Sequence, residues 1–527
     1  MVIQNGPFRG INPYTSLIAS SVVILFVVGT LVFPDAASEW IQNARTFVTF
    51  YANWWYVLLA GCFLVFLVGL AASPYGRLRL GDEHERPKYS YFTWFAMVYA
   101  AGQGIGIIFW SIAEPVFHYL DGSPFAASAG DQAAARAAME VTFFHWGLNA
   151  WAIYSIVALA LAVVAYRMKM PLGIRYTLYP VLGQRVYGWP GAAVDVVAVF
   201  ATLFGIATSL GLGVQQINSG LNSLWGVPVT AGVQLILIAA ITVLALMSVL
   251  SGLDRGIRYL SEINMWLTVV LLAFFLTWGP TQYVLQSLVV GLWDYAAGLL
   301  ALNTYVESAP GTVAEHGWQD MWQGWWTVFY WGWWISWAPF VGVFVARVSR
   351  GRTIREFVLG VVGVSTLLSC VWIAAYGGTA LHIEMFGGGG VGDAVYDNTA
   401  MALYATFTAM DVGTIGFWAG VIGTILVTTY FVTSSDSGTL VLTTILSEGD
   451  QNPLHRHRSI WGIGQGVIAA VLLVVGGEAA LSTLQTASIV AALPFSLIMV
   501  LMCVGIVRGL AMGSQPEIAA TVGSTAD

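Results

Sequence analysis

The sequence predicts an all-α integral membrane fold with twelve spanning helices. Three observations predict it. Hydrophobic residues make up 58% of the chain and charged residues only 9%, where a soluble domain carries about 25% charged residues. The apolar residues form long continuous runs, as spanning helices do, whereas a closed barrel shows short alternating segments. The basic residues fall in alternate loops, which sets both the number and the direction of the spans.

The spans lie at about 15–34, 53–73, 90–112, 141–166, 190–222, 228–250, 261–290, 322–346, 355–377, 413–438, 459–476 and 484–508. Each meets the length of roughly 17–25 residues that a bilayer requires. The first run is too long for the apolar core of a signal peptide and has no A-x-A exit, so it reads as span one. With a cytoplasmic N-terminus, 18 of the 20 Lys and Arg fall on the cytoplasmic side, and only Arg45 and Arg136 fall outside. Moving one boundary by a whole helix destroys this separation. Both termini are therefore expected in the cytoplasm of a multi-pass cell-membrane protein, with no Arg or Lys in the middle of any span. The net charge is −7 and no basic stripe is present, so nucleic acid is not an expected partner. Cys62, Cys370 and Cys503 lie far apart in apolar runs and read as buried free thiols.

The chain reads as one membrane domain. Residues 1–89 form an N-terminal tail and two peripheral helices, 90–290 a first repeat, 291–321 an external connector, 322–508 a second repeat and 509–527 a short tail. The connector and the external loops 113–140 and 378–412 are expected to hold short surface helices. Span three contains Gly102-Gln103-Gly104-Ile105-Gly106. Alternate glycines do not share one helix face, so the pattern favours unwound backbone over a helix-packing stripe. An interruption is expected in span eight around Ser336-Trp337-Ala338-Pro339. Breaks at corresponding places in two halves suggest inverted repeats, spans 3–7 and 8–12, with spans one and two outside them.

Residues 322–337 read WQGWWTVFYWGWWISW, and seven of these sixteen are tryptophan. Each indole is large and has an N–H that needs a partner. Indole faces hold cations without a carboxylate, which points to quaternary ammonium compounds. Span four adds Trp146, Trp151 and Tyr154. At about 100° per residue these line one side of a helix, as an interfacial belt or, with Trp334 facing them, as a cage.

These stretches resemble the betaine/choline/carnitine transporter family, BCCT. The resemblance is carried by Trp326 to Trp337 with Pro339-Phe340 and RGRTIREF at 350–357. It is also carried by FAM at 95–97, the glycine stretch, AEP at 113–115, HW with WAIY at 145–154 and SEINMW at 261–266. GGTA at 377–380, TSSDS at 433–437 and LQTASIVAALPF at 484–495 complete it. The resemblance implies a LeuT-type inverted-repeat fold, a homotrimer, and import of a quaternary ammonium solute. It makes Trp146, Trp151, Tyr154 and Trp334 the cage. Trp337 would guard the path below, with Trp333 and Phe344 near it, and Gly102, Gln103, Gly104 and Gly106 would meet the other end of the solute. Choline-moving members tend to carry Asp where Gly106 stands. A second carboxylate would repel a zwitterion, so Gly106 favours glycine betaine over choline. Gln103 stands where Met is usual; it either hydrogen-bonds the solute or fills the same volume.

The same resemblance implies sodium as the coupling ion, with no other cofactor. Thr433 and Ser434 would contribute hydroxyls, and Ala100, Gln103 and Tyr430 carbonyls, an oxygen-only set suited to a hard cation. The hydroxyls alone read equally as bonds to the preceding turn. A second family site, at Thr202 and Phe340, is half lost because Ile206 replaces a threonine; Thr208 and Ser209 are its nearest substitutes. Glu114 and Asp436 read as structural hydrogen-bonding groups before proton relays. His118 and His145 read as surface or packing residues. The alternatives are sodium-independent exchange, a choline or carnitine transporter of the same family, and an amino-acid symporter on the same fold. No nucleophile, metal spacing, P-loop or ring of charges suggests an enzyme, an ATP-driven pump or a channel.

Overall fold

The computed structural model describes residues 9–251, 256–313 and 315–513. Arg255 and the tail residues 1–8 and 514–527 lie outside the described residues. Among the described residues the elements are helices, and the one β-bridge pairs Arg79 with Thr353. It joins the loops after spans two and eight, where Leu80 and Gly351 also exchange a backbone bond of 2.8 Å. Among the described residues eleven helices, Thr281–Thr304 included, are long and apolar enough to cross a membrane; a bent pair makes a twelfth, and Glu262–Trp278 is a shorter apolar helix.

Span one is Pro13–Val32, and span two is a 39-residue helix, Pro34–Ala72. Arg45 lies inside that helix and is fully buried. Its guanidinium is 3.2 Å from the Trp318 ring centroid and donates to the carbonyls of Gly324 and Ser482. Arg45 lies outside the expected span 53–73, in the outer part of a helix that starts earlier than expected, so the middle of span two is free of arginine. Cys370 is buried as expected, whereas Cys62 is exposed.

Span three breaks at Gln103. Tyr91–Gly102 and Gly104–Asp121 meet at 71°, with Gly104 at φ +52°, a conformation glycine adopts without a Cβ penalty. Span four is interrupted too, at Gly147, between Gln132–Trp146 and Leu148–Ala162. The Leu148 N–H donates to the Tyr295 hydroxyl at 3.0 Å. Angular bookkeeping along a continuous helix therefore does not relate Trp146 to Trp151.

Span eight departs from expectation. Its break is at Trp326, between Trp322–Trp325 and Thr327–Val348, and Ser336 to Pro339 stay helical. Pro339 removes one backbone bond, but this stretch is enclosed by spans four, five and twelve. Ser336 Oγ is tied to the Ser488 carbonyl at 2.8 Å. Membrane helices tolerate proline where neighbours hold the backbone in this way.

Span seven ends at Trp278, before Gly279-Pro280, and Thr281–Thr304 is a separate 24-residue helix. It meets the C-terminal end of span nine through Tyr283 and His382 (5.3 Å). It then meets span four through Asp294 and Arg136 (2.7 Å) and through Asn303 and Asn149 (2.5 Å). Asn303 also packs against Gly61 of span two. It touches spans nine, four and two in turn, and so runs across the bundle from one helix to the next. The 261–290 span is corrected accordingly.

The remaining spans are Trp189–Trp225, Ala231–Ser251, Ile354–Phe386, Thr414–Leu446, His455–Gly476 and Ala480–Met512. Their packing repeats when spans three to seven are exchanged with spans eight to twelve. Span eight packs on span four as span three packs on span nine. Span five packs on spans eleven and twelve as span ten packs on spans six and seven. An odd number of helices per repeat inverts the second. The apolar window of span one is 22% buried and that of span eight 94%, so the tryptophan-rich helix is the axis of the bundle.

A buried ion cluster closes the end opposite the crossing helix. Arg175 bonds Asp195 at 2.6 Å and Glu448 at 3.0 Å, and donates to Thr15 Oγ1 at 3.2 Å. Asn12 donates to Glu448 at 2.6 Å. It thus joins span one, span five and the loop after span ten. Burial alone would raise the Glu448 pKa, but the Asn12 amide and the Arg175 guanidinium hold it below the ordinary glutamate value. The stability this adds is complete above that ordinary value and is lost as pH falls through the lowered one. Arg175→Met leaves Asp195 buried without its counter-charge, holding only the residue-175 backbone N–H, and is expected to cost about 3–5 kcal/mol. The measurement is the melting temperature of the purified protein in detergent; an unchanged value would show that the cluster contributes nothing.

Candidate substrate cage and cation site

The alternate glycines of span three are each covered by an indole. A Cβ on Gly102 would lie 2.5 Å from Trp151, one on Gly104 3.4 Å from Trp337, and one on Gly106 2.6 Å from Trp333 and 3.2 Å from Trp146. The glycines therefore permit the expected break at Gln103, and they also do what the disfavoured packing reading required, making room for rings from spans four and eight. Any side chain at position 106 would have to displace Trp333.

The predicted cage residues are brought together and are all buried. Trp146 meets Trp334 edge-on with centroids 4.8 Å apart. Trp334 meets Tyr154 at 5.9 Å, and Tyr154 meets Trp151 at 5.8 Å, both near perpendicular. Tyr99, which sequence reasoning missed, stacks on Trp151 at 6.1 Å. Trp333 stacks on Trp334 at 4.9 Å with the planes 11° apart, and Phe329 stacks on Trp333 at 5.2 Å. Edge-to-face and offset contacts of this kind are the favoured aromatic geometries. Trp337 packs on Phe340 at 5.3 Å. Phe344 makes no ring contact with the cage among the described residues.

Most indole N–H groups are anchored. Trp333 donates to Ser209 Oγ (3.1 Å), Trp334 to the His145 carbonyl (2.9 Å), Trp337 to the Gly205 carbonyl (2.8 Å) and Trp146 to Glu114 (2.8 Å). The Trp151 N–H and the Tyr154 hydroxyl are buried without a partner. Gln103 turns its amide toward span nine, donating to Ser369 Oγ at 2.8 Å, while its Oε1 has no partner. Buried polar atoms left unpaired in this way call for a ligand or water.

His118 and His145 are not on the surface. With Glu114 they bring a carboxylate oxygen and two imidazole nitrogens within 4.8 Å of one another. By donor type this grouping is able to hold a metal ion. Its distances are those of a hydrogen-bond network, because His145 lies 2.6 Å from Glu114 on one side and 3.0 Å from Thr327 on the other. The spacing of Glu114 and His118, four residues apart on one helix, was the available signal. Asp436 accepts a hydrogen bond from Ser248, in keeping with its structural reading.

Of the expected sodium ligands, Ala100 and Gln103 lie at the span-three break and Ser434 lies beside it. The Thr433 hydroxyl donates within its own helix, to the Thr429 or Tyr430 carbonyl (3.1 and 3.0 Å), and accepts from Asn264 (3.2 Å). Ser434 Oγ lies 3.4 Å from the Cβ position of Gly104. At the break the Gln103 N–H donates to the Tyr99 carbonyl (3.2 Å). The carbonyls of Ala100 to Gly102 belong to the last turn of Tyr91–Gly102, at the negative end of a helix dipole. At the second site, Thr202 Oγ1 is buried without a partner. Thr208 is spent on Leu484 and Ser488 and Ser209 on Trp333, so neither replaces the missing threonine.

A bundle of apolar helices, broken at its centre around a wall of indoles, defines an integral membrane transporter. The chain matches the betaine/carnitine/choline family transporter description over residues 14–515. A probable glycine betaine transporter of Desulfitobacterium hafniense strain Y51 is 40% identical, covering 94% of this chain and 96% of that one. The glycine betaine transporter of Bacillus subtilis strain 168 is 42% identical over 91% of both chains. A glycine betaine/proline/choline/ectoine transporter of Vibrio parahaemolyticus is 38% identical, over 96% of this chain and 88% of its own. The chain belongs to the BCCT family.

Proposed function

We propose that this transporter imports glycine betaine across the cell membrane by sodium symport and alternating access, as a homotrimer with both termini in the cytoplasm. The observation that carries the reading is the run of buried rings from Trp146 through Trp334 and Tyr154 to Trp151. A desolvated ring face attracts a quaternary ammonium by about 2 kcal/mol or more. The solute's carboxylate would lie toward the span-three break at Gly102 to Gly106. Gly106 leaves that region without a fixed negative charge, which suits a zwitterion better than choline.

Sodium would bind where the helix-end carbonyls of Ala100 and Gln103 meet Thr433, Ser434 and the Tyr430 carbonyl. An ion there ties span ten to the span-three break, and so couples its own binding to the shape of the cage. The second site, at Thr202 and Phe340, keeps only one of its two hydroxyls and is assigned no ion.

The test is uptake of labelled glycine betaine into proteoliposomes. Uptake is expected to be driven by an inward sodium gradient and to fall to background when potassium replaces sodium. Equal uptake in the two salts would contradict symport and favour sodium-independent exchange.

A further inference from the structure

Glu114 is wholly buried and is bonded to a cage residue. One carboxylate oxygen accepts the Trp146 Nε1–H at 2.8 Å, and the other lies 2.6 Å from His145 Nδ1. The second His145 nitrogen lies 3.0 Å from Thr327 Oγ1. A carboxylate acceptor on one side and a hydroxyl able to donate on the other place the imidazole proton on Nδ1. The backbone carbonyl of the same histidine receives the Trp334 N–H at 2.9 Å. A single carboxylate thus fixes one cage indole directly and a second through the adjoining backbone. His118 Nε2, at 3.4 Å, and the Tyr330 hydroxyl are its further polar neighbours.

Holding an acid in this place is costly, since a buried carboxylate must be paid for by hydrogen bonds and charge. A glutamine would fill the same volume. What the acid adds is charge behind the ring. An ionised acceptor makes the bond to the indole N–H roughly twice as strong as a neutral one. Bonded groups polarise one another in a low dielectric. Electron density drawn toward the N–H proton of Trp146 is pushed back into its ring, and the ring face is what a quaternary ammonium meets.

We propose that Glu114 is a specificity-determining positioning residue: it orients Trp146 and Trp334 and makes the Trp146 face more negative, so that the cage selects a permanently cationic head group over a neutral one of the same shape. This rests on the betaine-type reading above and adds what sets the head-group preference. It also places a negative charge behind the ring wall, on the ammonium side of the site.

The test compares glycine betaine with tert-butylacetate, its isostere with carbon in place of nitrogen. Binding of both to the purified full-length protein in saturating sodium is measured by calorimetry. Wild type is expected to bind glycine betaine at least about tenfold more tightly. In Glu114→Gln the glycine betaine Kd is expected to rise about tenfold, with tert-butylacetate changing by less than about twofold. Glu114→Asp keeps the charge and is expected to keep the preference. Equal weakening of both ligands in Glu114→Gln would reduce Glu114 to a structural role and overturn the proposal. A wild-type protein without preference between the ligands overturns it whether or not the variant folds. A wild-type protein that binds neither would overturn the betaine reading itself, which separates the two failures.

Discussion

Trp334→Ala is expected to weaken glycine betaine binding at least about thirtyfold, the equivalent of losing ~2 kcal/mol of desolvated cation–π attraction. Trp334 is the ring the others share. It meets Trp146 and Tyr154 edge-on, is backed by Trp333, and is locked by its N–H on the His145 carbonyl. Truncating a buried tryptophan also costs about 3–5 kcal/mol of stability, so a loss of binding alone is ambiguous. Trp334→Phe separates the effects, because it keeps a ring face and loses the N–H. It is expected to fall between wild type and alanine in affinity. Calorimetric titration in saturating sodium checks both, and an unchanged Kd in Trp334→Ala would remove this residue from the cage.

Gly102→Ala is expected to be nearly as damaging, although it adds one methyl group and removes no contact. That methyl would lie 2.5 Å from Trp151. The indole cannot retreat freely, because Tyr99 stacks on it and Tyr154 abuts its edge. Overpacking of this kind costs about 1–3 kcal/mol. If the strain is relieved by moving Trp151 out of the cage, affinity falls roughly tenfold or more. The expected signature is a raised Kd for glycine betaine with little change in melting temperature. A variant that melts much lower yet binds normally would place the strain in the fold instead.

The fold was largely legible in the sequence because charge is excluded from the bilayer core. Basic residues in alternate loops counted the spans, and only a chain crossing twelve times puts Arg45 and Arg136 together on the far side. The break in span three was legible because three alternate glycines do not share one helix face, although each proves to be packed against an indole. The breaks elsewhere were not. Gly147 is a single glycine, and its interruption depends on Tyr295 from a distant helix. Pro339 looked like a break, yet the spans enclosing it hold the helix straight. Gly279-Pro280 did mark the end of span seven, but apolar residues on both sides concealed it.

The cage residues were legible through residue type, since few apolar helices carry seven indoles in sixteen residues. Their supports were not. Glu114 and His145 are 31 positions apart, and nothing in either segment announces that they meet behind Trp146. The same holds for Gln103, whose amide turns away to Ser369, a contact across 266 positions. Neither alternative read from the sequence, solute bond or volume filler, included that partner.

The most direct test of the cage is an experimental structure of the protein with saturating glycine betaine and sodium. The account predicts a trimethylammonium group against the faces of Trp146, Trp151, Tyr154 and Trp334, with its carboxylate toward the span-three gap at Gly102 to Gly106. Glycine betaine bound elsewhere in the bundle, with those four rings in contact only with one another, would contradict it.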